Sequence, residues 1–348
     1  MRNLNRTATQ VHPDGAGTLC GAALYVSAAA GSVMAAGAVG APSPVPMVPD
    51  VYAVVYIHDV LTSRYSSPHP RSRSTSAPPF WLGDWRDSWS REAHAAAVRE
   101  AREAIARGDV YQVNVVGHAC APYLGDPLPA LDRVAGLPGA RYGGVLTGDG
   151  WAMATASPET LVEVRDGRVI TRPIKGTRPA TATGRRELLA SAKERAEHVM
   201  IVDLERNDLA RIAGTGPVRV DELFAVRRWA GLWQAESTVS APITGPLDLA
   251  ALLRAVCPGG SVTGAPKLAA LAEIARLEPV GRGVSMGALG WVGTGHLDLG
   301  LTIRTAVADG ERLHLWAGGG ITYDSDPIAE VDEAAAKAAP MRAALADG

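Results

Sequence analysis

The sequence predicts an α+β fold in which layered antiparallel sheets are flanked by helices. Three observations carry this expectation: strand-like runs occur in clusters, long helical stretches separate the clusters, and tight-turn signals such as Asp166-Gly167 join neighbouring strands. Residues 22–41 are apolar but dominated by Ala and Gly, without the Leu/Val/Ile run that drives membrane insertion, so neither a signal peptide nor a span is expected. Residues 62–79 are nearly all Ser, Pro, Arg and Thr, a composition that cannot pack a core and reads as a linker. The first 80 residues are therefore expected to form a reduced, weakly specified N-terminal region, and residues 81–348 the catalytic domain.

Residues 88–109 give one amphipathic helix, with Ala97, Ala101, Ala104 and Ile105 on a stripe and Gly108 as its stop. Strands follow at 110–116, 151–157, 161–167 and 168–174, the last two joined at Asp166-Gly167. Residues 183–212 read as one long helical stretch. Helices at 246–256 and 267–279 bracket the Gly-rich turn CPGGSVTGAP, strands cover 287–293, 296–309 and 312–321, and a helix over 327–345 closes the domain.

Composition narrows the function. The 348 residues carry 34 basic against 36 acidic side chains, so no overall field favours nucleic acid or a membrane surface. Hydrophobic residues make up 47% but Phe, Trp and Tyr only 5%, which leaves the core to Ala, Val, Leu and Ile. Three widely spaced cysteines fit neither a disulfide framework nor a Cys-rich zinc site and suit a reducing, cytoplasmic compartment. Of the 34 basic residues only Lys175, Lys193, Lys267 and Lys337 are lysines. Guanidinium cannot act as nucleophile or base near neutral pH, so the sparing use of Lys marks places where a deprotonatable amine is wanted.

Two acidic pairs have helical spacing: Glu194 with Glu197, and Glu330 with Glu333. Each pair shares a helix face. Brought together, they would make a hard oxygen site suited to Mg²⁺; apart, they are solvated helix faces. The segment PGGSVTGAPK lacks the Gly-Lys-Ser/Thr ending of a phosphate loop, yet its backbone N–H groups and those of Gly318, Gly319 and Gly320 offer a cradle for a carboxylate, the alternative being two plain turns. Lys175 follows a strand between Pro173 and Gly176, where desolvation would make its amine a nucleophile; otherwise it is an ordinary loop lysine. Glu159, at a strand end, would serve as a general acid if burial kept it protonated. No Ser-His-Asp set and no dinucleotide Gly-rich loop is present.

The ordered motifs RGDVYQVN (107–114), SPE (157–159), PIKGTRP (173–179), AKERAEHVMIVDLERNDLAR (192–211), PGGSVTGAPK (258–267), IRTA (303–306) and AGGGITYDSDPIAEVDEAAAK (317–337) together resemble the chorismate-utilising enzymes. The resemblance covers about 260 residues, and all four lysines fall in its motifs. It implies the chorismate-binding fold and a Mg²⁺ ion held by Glu197 and Glu333, with Glu194 and Glu330 in support. It implies chorismate bound through Arg304, Gly318, Gly319 and Gly320, with Gln112, Ser261, Thr263 and Lys337 also in the substrate site. Lys175 would be the covalent nucleophile and Glu159 the acid.

Within the family, P-I-K-G-T is the aminodeoxychorismate type, whereas anthranilate-forming relatives have P-I-A-G-T, so Lys175 points to amination at C4 in the 4-aminobenzoate branch of folate synthesis. Anthranilate, a specialised aminochorismate, or a non-catalytic chorismate-binding subunit are the other readings. Gln112 stands where the water-using relatives have a Lys base, and an amide cannot activate water by taking its proton. Gln234 replaces a frequent His, Ser285 an aromatic residue and Trp291 a Tyr. The chain has no Cys set on a nucleophile elbow for glutamine hydrolysis, so ammonia is expected from a separate glutaminase subunit. Feedback by tryptophan is not expected, because the N-terminal region is shorter than that of the tryptophan-regulated relatives.

Overall fold

A computed structural model describes residues 18–58, 79–213, 217–229, 232–243 and 245–346. Two antiparallel sheets make its frame. The first runs Ile174–Pro179, Leu232–Pro242, Arg168–Arg172, Thr160–Arg165, His296–Leu301, Ala288–Gly293, Thr18–Val26, Val51–His58, with Arg219–Trp229 also paired to Leu232–Pro242. The second runs Gly264–Ala265, Gln112–Leu124, Arg312–Ile321, Thr305–Ala308, Trp151–Ser157, Tyr142–Gly148, with the short strands Trp81–Leu82 and Arg86–Asp87 also on Gln112–Leu124. The α+β class and layered antiparallel sheets expected from the sequence are those observed.

Side-chain alternation sets the layers. Trp151–Ser157 is buried on both faces: Met153 joins the core between the sheets with Leu24, Val162, Leu297 and Trp316, while Ala152 and Ala154 join a second core. That second core packs under the helices Leu128–Ala135 and Pro327–Ala346, through Leu131, Val134 and Leu345. The helix Arg91–Arg107 forms where the 3.6-residue stripe predicts it. Ser90 Oγ caps its start by accepting from Ala93 N, and Gly108 ends it at φ 84°, a conformation that favours glycine.

Four sequence expectations change. The described part of the first 80 residues is no appendage: Thr18–Val26 pairs with both Ala288–Gly293 and Val51–His58 and buries Leu24, Tyr25 and Val26. Burying a Leu or Val side chain stabilises by roughly 1.5–3 kcal/mol, so this strand holds the sheet together. Most of the Ser/Pro-rich stretch at 62–79 lies outside the described residues. The helical stretch 183–212 divides into Ala182–Ala190 and Ala192–Ala210, because Ser191 is extended (ψ 105°) and its Oγ accepts from Glu194 N, starting a new helix. Residues 296–309 form two strands in different sheets, His296–Leu301 and Thr305–Ala308, with Arg304 at φ 50° between them.

Gly318, Gly319 and Gly320, finally, are no turn. They lie within Arg312–Ile321, opposite Val116, Val115 and Asn114. In a strand, backbone amides are committed to the neighbouring chain in alternation, so the three do not form a concave nest.

The chain crosses between sheets at two places that run side by side, residues 157–160 and 301–305. Leu301 N donates to Glu159 O at 3.1 Å and Ala156 N to Arg304 O at 3.0 Å. These crossings bring Glu159 and Arg304 to the seam of the two sheets. None of the described helices is long and apolar enough to cross a membrane.

Candidate active site

The site forms where the first sheet's strand Ile174–Pro179, the turn at residues 259–263 and the second sheet's strand Arg312–Ile321 meet. Lys175 Nζ donates to Ser261 O at 3.2 Å. A Cβ placed on Gly320 would fall 3.5 Å from Lys175 Nζ and 1.9 Å from Gln112 Nε2, so Lys175, Gln112 and Gly320 adjoin one another. Burial pushes the Lys175 ammonium below the usual amine range; Glu159, Glu197 and Glu333 oppose this, while Lys337 adds to it. The lysine is thus the desolvated amine of the two alternatives the sequence left open.

Glu159 is buried and accepts from Ile174 N at 3.3 Å. Burial raises its carboxyl above the ordinary range, and the ties to Ser261, Lys175 and Ile174 N reverse only part of that rise. A carboxyl of raised pKa and an amine of lowered pKa therefore sit together at the seam, the pairing that suits one group to donate a proton and the other an electron pair.

The helices Ala192–Ala210 and Pro327–Ala346 bring both acidic pairs to Lys175. A Cβ on Gly319 would lie 3.1 Å from Glu330 Oε2 and 3.8 Å from Glu333 Oε1, and one on Gly176, the neighbour of Lys175, 3.0 Å from Glu194 Oε2. Burial raises Glu197, with Glu194 and Glu330 contributing and Lys175 and Lys193 opposing. Burial would also raise Glu333, but Lys337, Lys193 and Lys175 hold it below the usual carboxylate range. Lys337 Nζ lies 2.7 Å from Glu333 and donates to Gly318 O at 3.0 Å; Arg178 pairs with Glu194 at 3.2 Å, and Ser325 Oγ donates to Glu330 at 2.7 Å.

Among the described residues these carboxylates do not form a ready cage of three. Mg²⁺ does not require one, since it keeps several waters and takes one or two carboxylates plus an anionic substrate. Hard oxygen donors on two facing helices, mutually repelling at Glu197, fit such an ion.

Arg304 is half-buried, and burial without a compensating carboxylate lowers its pKa. No ion pair holds its guanidinium among the described residues, which leaves a cationic fork at the seam for an anion. Ser261 contributes its carbonyl to Lys175, and Asn114 Nδ2 donates to the same oxygen at 3.4 Å. Thr263 differs from expectation: its hydroxyl is buried and donates to Gly259 O at 2.9 Å, so its proton is committed to shaping the turn.

Some polar groups near the site escaped sequence reasoning. Glu236 is buried and tied to Arg141 at 2.9 Å and Arg227 at 3.4 Å, and it helps raise Glu159. Glu205, buried in Ala192–Ala210, is pushed up to about 8 by burial and by Asp208, against Lys267. His198 is fully buried with neither ring nitrogen hydrogen-bonded, and burial lowers it to about 4. The signal that would have found Glu236 is a polar residue at an inward position of an alternating strand. Of the departures noted in sequence, Ser285 is buried with Oγ 3.4 Å from Thr302 O, and Trp291 packs against Tyr56 at 5.4 Å.

Comparison with known proteins agrees with this fold. Residues 52–343 match the chorismate binding enzyme family. Aminodeoxychorismate synthase component 1 of Klebsiella aerogenes is 40% identical over 256 residues, 72% of this chain and 57% of that protein. Anthranilate synthase component 1 of Streptomyces coelicolor is 39% identical over 287 residues, 80% of this chain and 56% of that protein. The crystal structure of anthranilate synthase component I from Streptococcus pneumoniae superposes with a TM-score of 0.80 at 27% identity, over 98% of this chain and 84% of that one. The chain spans a little over half the length of the two curated relatives. On the match over residues 52–343 and on these relatives, the chain belongs to the chorismate binding enzyme family.

Proposed function

We propose that the protein is the synthase component of an aminodeoxychorismate synthase, converting chorismate and ammonia to 4-amino-4-deoxychorismate. The observation that carries this reading is Lys175: an amine of lowered basicity, within hydrogen-bond reach of Ser261 O, beside a raised carboxyl at Glu159 and between two acidic helices. An amine so placed serves as a nucleophile, which a purely binding site has no need of.

Arg304 binds one carboxylate of the substrate. Glu197 and Glu333 would hold Mg²⁺, with Glu194 and Glu330 in support through water, and the ion would draw electron density from the ring through its carboxylate. Lys175 attacks C2 as the neutral amine. The N–C2 bond forms, the ring diene shifts by one bond, and the C4–O bond breaks as Glu159 gives its proton, so that water leaves. Ammonia then attacks C4, the diene shifts back, and the C2–N bond breaks to return Lys175 as a neutral amine. The new C4 ammonium gives its proton to Glu159, which restores the acid. Two displacements set nitrogen where oxygen left.

A separate glutaminase is the proposed source of ammonia, in keeping with the "component 1" names of the relatives. A reducing, cytoplasmic setting suits the free thiols of Cys20, Cys120 and Cys257. The test is incubation with chorismate, MgCl₂, ammonium and a separate pyruvate-removing lyase. 4-Aminobenzoate is the expected product; anthranilate as the sole product would assign the chain to the C2-aminating branch, and unreacted chorismate would leave only a binding subunit.

A further inference from the structure

We infer that Arg282 is a positioning residue: its guanidinium, seated on Glu278, locks the turn at residues 259–263 against the strand Gln112–Leu124 and so fixes where Lys175 and Glu159 act. The inference rests on the reading above of Lys175 as nucleophile and Glu159 as acid.

One edge of Gln112–Leu124 is paired with Arg312–Ile321 over residues 113–122. On the other edge Gly264–Ala265 covers only Gln112 and Val113, and Arg86–Asp87 takes over at Ala119. The buried backbone groups between these two strands need other partners. Asn114 N donates to Thr263 O at 2.7 Å. Arg282 Nη2 donates to Asn114 O at 3.0 Å, and Val116 N donates to Glu278 Oε1 at 3.0 Å. A guanidinium and a carboxylate thus stand where a neighbouring strand would run.

All three guanidinium nitrogens are engaged. Nε and Nη2 meet the two oxygens of Glu278 at 2.9 and 2.7 Å, and Nη1 donates to Val262 O at 2.6 Å. Arg282 and Glu278 are 8% and 6% exposed, so each buried charge depends on the other. Val262 adjoins Ser261, on which both reacting groups bear: Ser261 O accepts from Lys175 Nζ at 3.2 Å, and the Ser261 side chain is hydrogen-bonded to Glu159. Among the described residues Arg282 is tied to neither reacting group and to none of the four glutamates, so it acts through the turn. Lysine at this position would carry the charge but, as a point donor, could not span Glu278, Val262 and Asn114 as the planar fork does. A cavity lined by Ala28, Pro258, Leu271 and Gly281 also reaches Glu278 and Arg282, and neither Lys175 nor Glu159 lines it. It offers a small cation a way to the pair that avoids the reaction centre.

The experiment is steady-state turnover of the full chain with chorismate, MgCl₂ and ammonium chloride, at a temperature where thermal melts show each variant folded. Arg282→Lys should lower kcat about tenfold to a hundredfold, with the chorismate KM within about threefold of wild type, because a shift on the order of 1 Å acts on the reacting geometry. Arg282→Ala should fall at least as far, and millimolar guanidinium chloride should restore its kcat about fivefold or more where the same concentration of NaCl does not. Glu278→Gln keeps the shape, should lose about threefold to tenfold in kcat, and decides the matter if neither Arg282 variant folds. A kcat within about twofold of wild type in a folded variant overturns the inference whatever its Tm, and leaves the pair a purely structural one. A raised chorismate KM with unchanged kcat overturns it as well, by assigning Arg282 to binding. Wild type that consumes no chorismate sinks the reading of Lys175 and Glu159 instead, a result distinct from either of these.

Discussion

Substituting Gly320 by Ala tests how tightly the reaction centre is assembled. The added methyl would lie 1.9 Å from Gln112 Nε2, where ordinary contact begins near 3.4 Å, so one of the two must move by about 1.5 Å. The neighbour has little freedom, because Gln112 is buried in the strand Gln112–Leu124 and the opposite side of the methyl already meets Lys175 Nζ at 3.5 Å. Overpacking of this kind costs about 1–3 kcal/mol. A displacement on the order of 1 Å at a reacting group lowers rate by roughly 10²-fold. Gly320→Ala should therefore reduce kcat about a hundredfold and lower Tm by a few degrees. Gly144→Ala is the control: in the strand Tyr142–Gly148 its methyl meets nothing within 4 Å, and kcat should stay within about threefold of wild type. Adding Gln112→Ala to Gly320→Ala should recover the lost Tm. The assay is chorismate consumption followed in the near ultraviolet, with thermal melts alongside. Wild-type kcat and Tm in Gly320→Ala would refute the reasoning.

Other consequences are as concrete. Glu205 has a folded pKa raised to about 8 from an ordinary 4.5, so the stability tied to its neutral form is complete below about pH 4.5 and is lost as pH rises through about 8. Glu205→Gln stays neutral, and its urea midpoint should gain on wild type by up to about 1.4 kcal/mol per pH unit between about pH 5 and 8; parallel pH profiles would show that Asp208 and Lys267 set the local charge instead. Arg304→Gln removes a half-buried guanidinium with no ion-pair partner among the described residues, which should raise the KM for chorismate roughly tenfold to a hundredfold while Tm holds or rises; a fall in Tm with unchanged KM would assign Arg304 a structural role. The kcat/KM profile should be bell-shaped, with one limb set by the lowered Lys175 and the other by the raised Glu159; Lys175→Ala should remove amination altogether.

Much of this was legible in the sequence because it is local. The stripe of Ala97, Ala101 and Ala104, the stop at Gly108 and the hairpin at Asp166-Gly167, with φ 51° and 71°, each follow from a few neighbouring residues. The gathering of Lys175, Glu159 and the four glutamates was implied only by the resemblance, since spacing alone leaves each acidic pair a solvated face. What escaped is non-local. No local pattern says that the chain changes sheet at Arg304, or that Gly318–Gly320 continue a strand whose missing side chains make room for Gln112 and Glu330, whereas the restart at Ser191 is written locally in Ser191-Ala192-Lys193-Glu194, a capping-box spacing that the long helical stretch masks. Thr18–Val26 reads as weakly specified because it is rich in small residues, yet it is held on both sides, by Ala288–Gly293 and Val51–His58, in a sheet that only the folded chain assembles.

The most direct measurement is the mass of intact protein quenched in acid after incubation with chorismate and Mg²⁺, with ammonia withheld. A covalent species heavier by chorismate less water, located on Lys175 by peptide mapping and discharged when ammonium is added, is the expected result. Unmodified protein under conditions where ammonium supports turnover would contradict the covalent role of that amine.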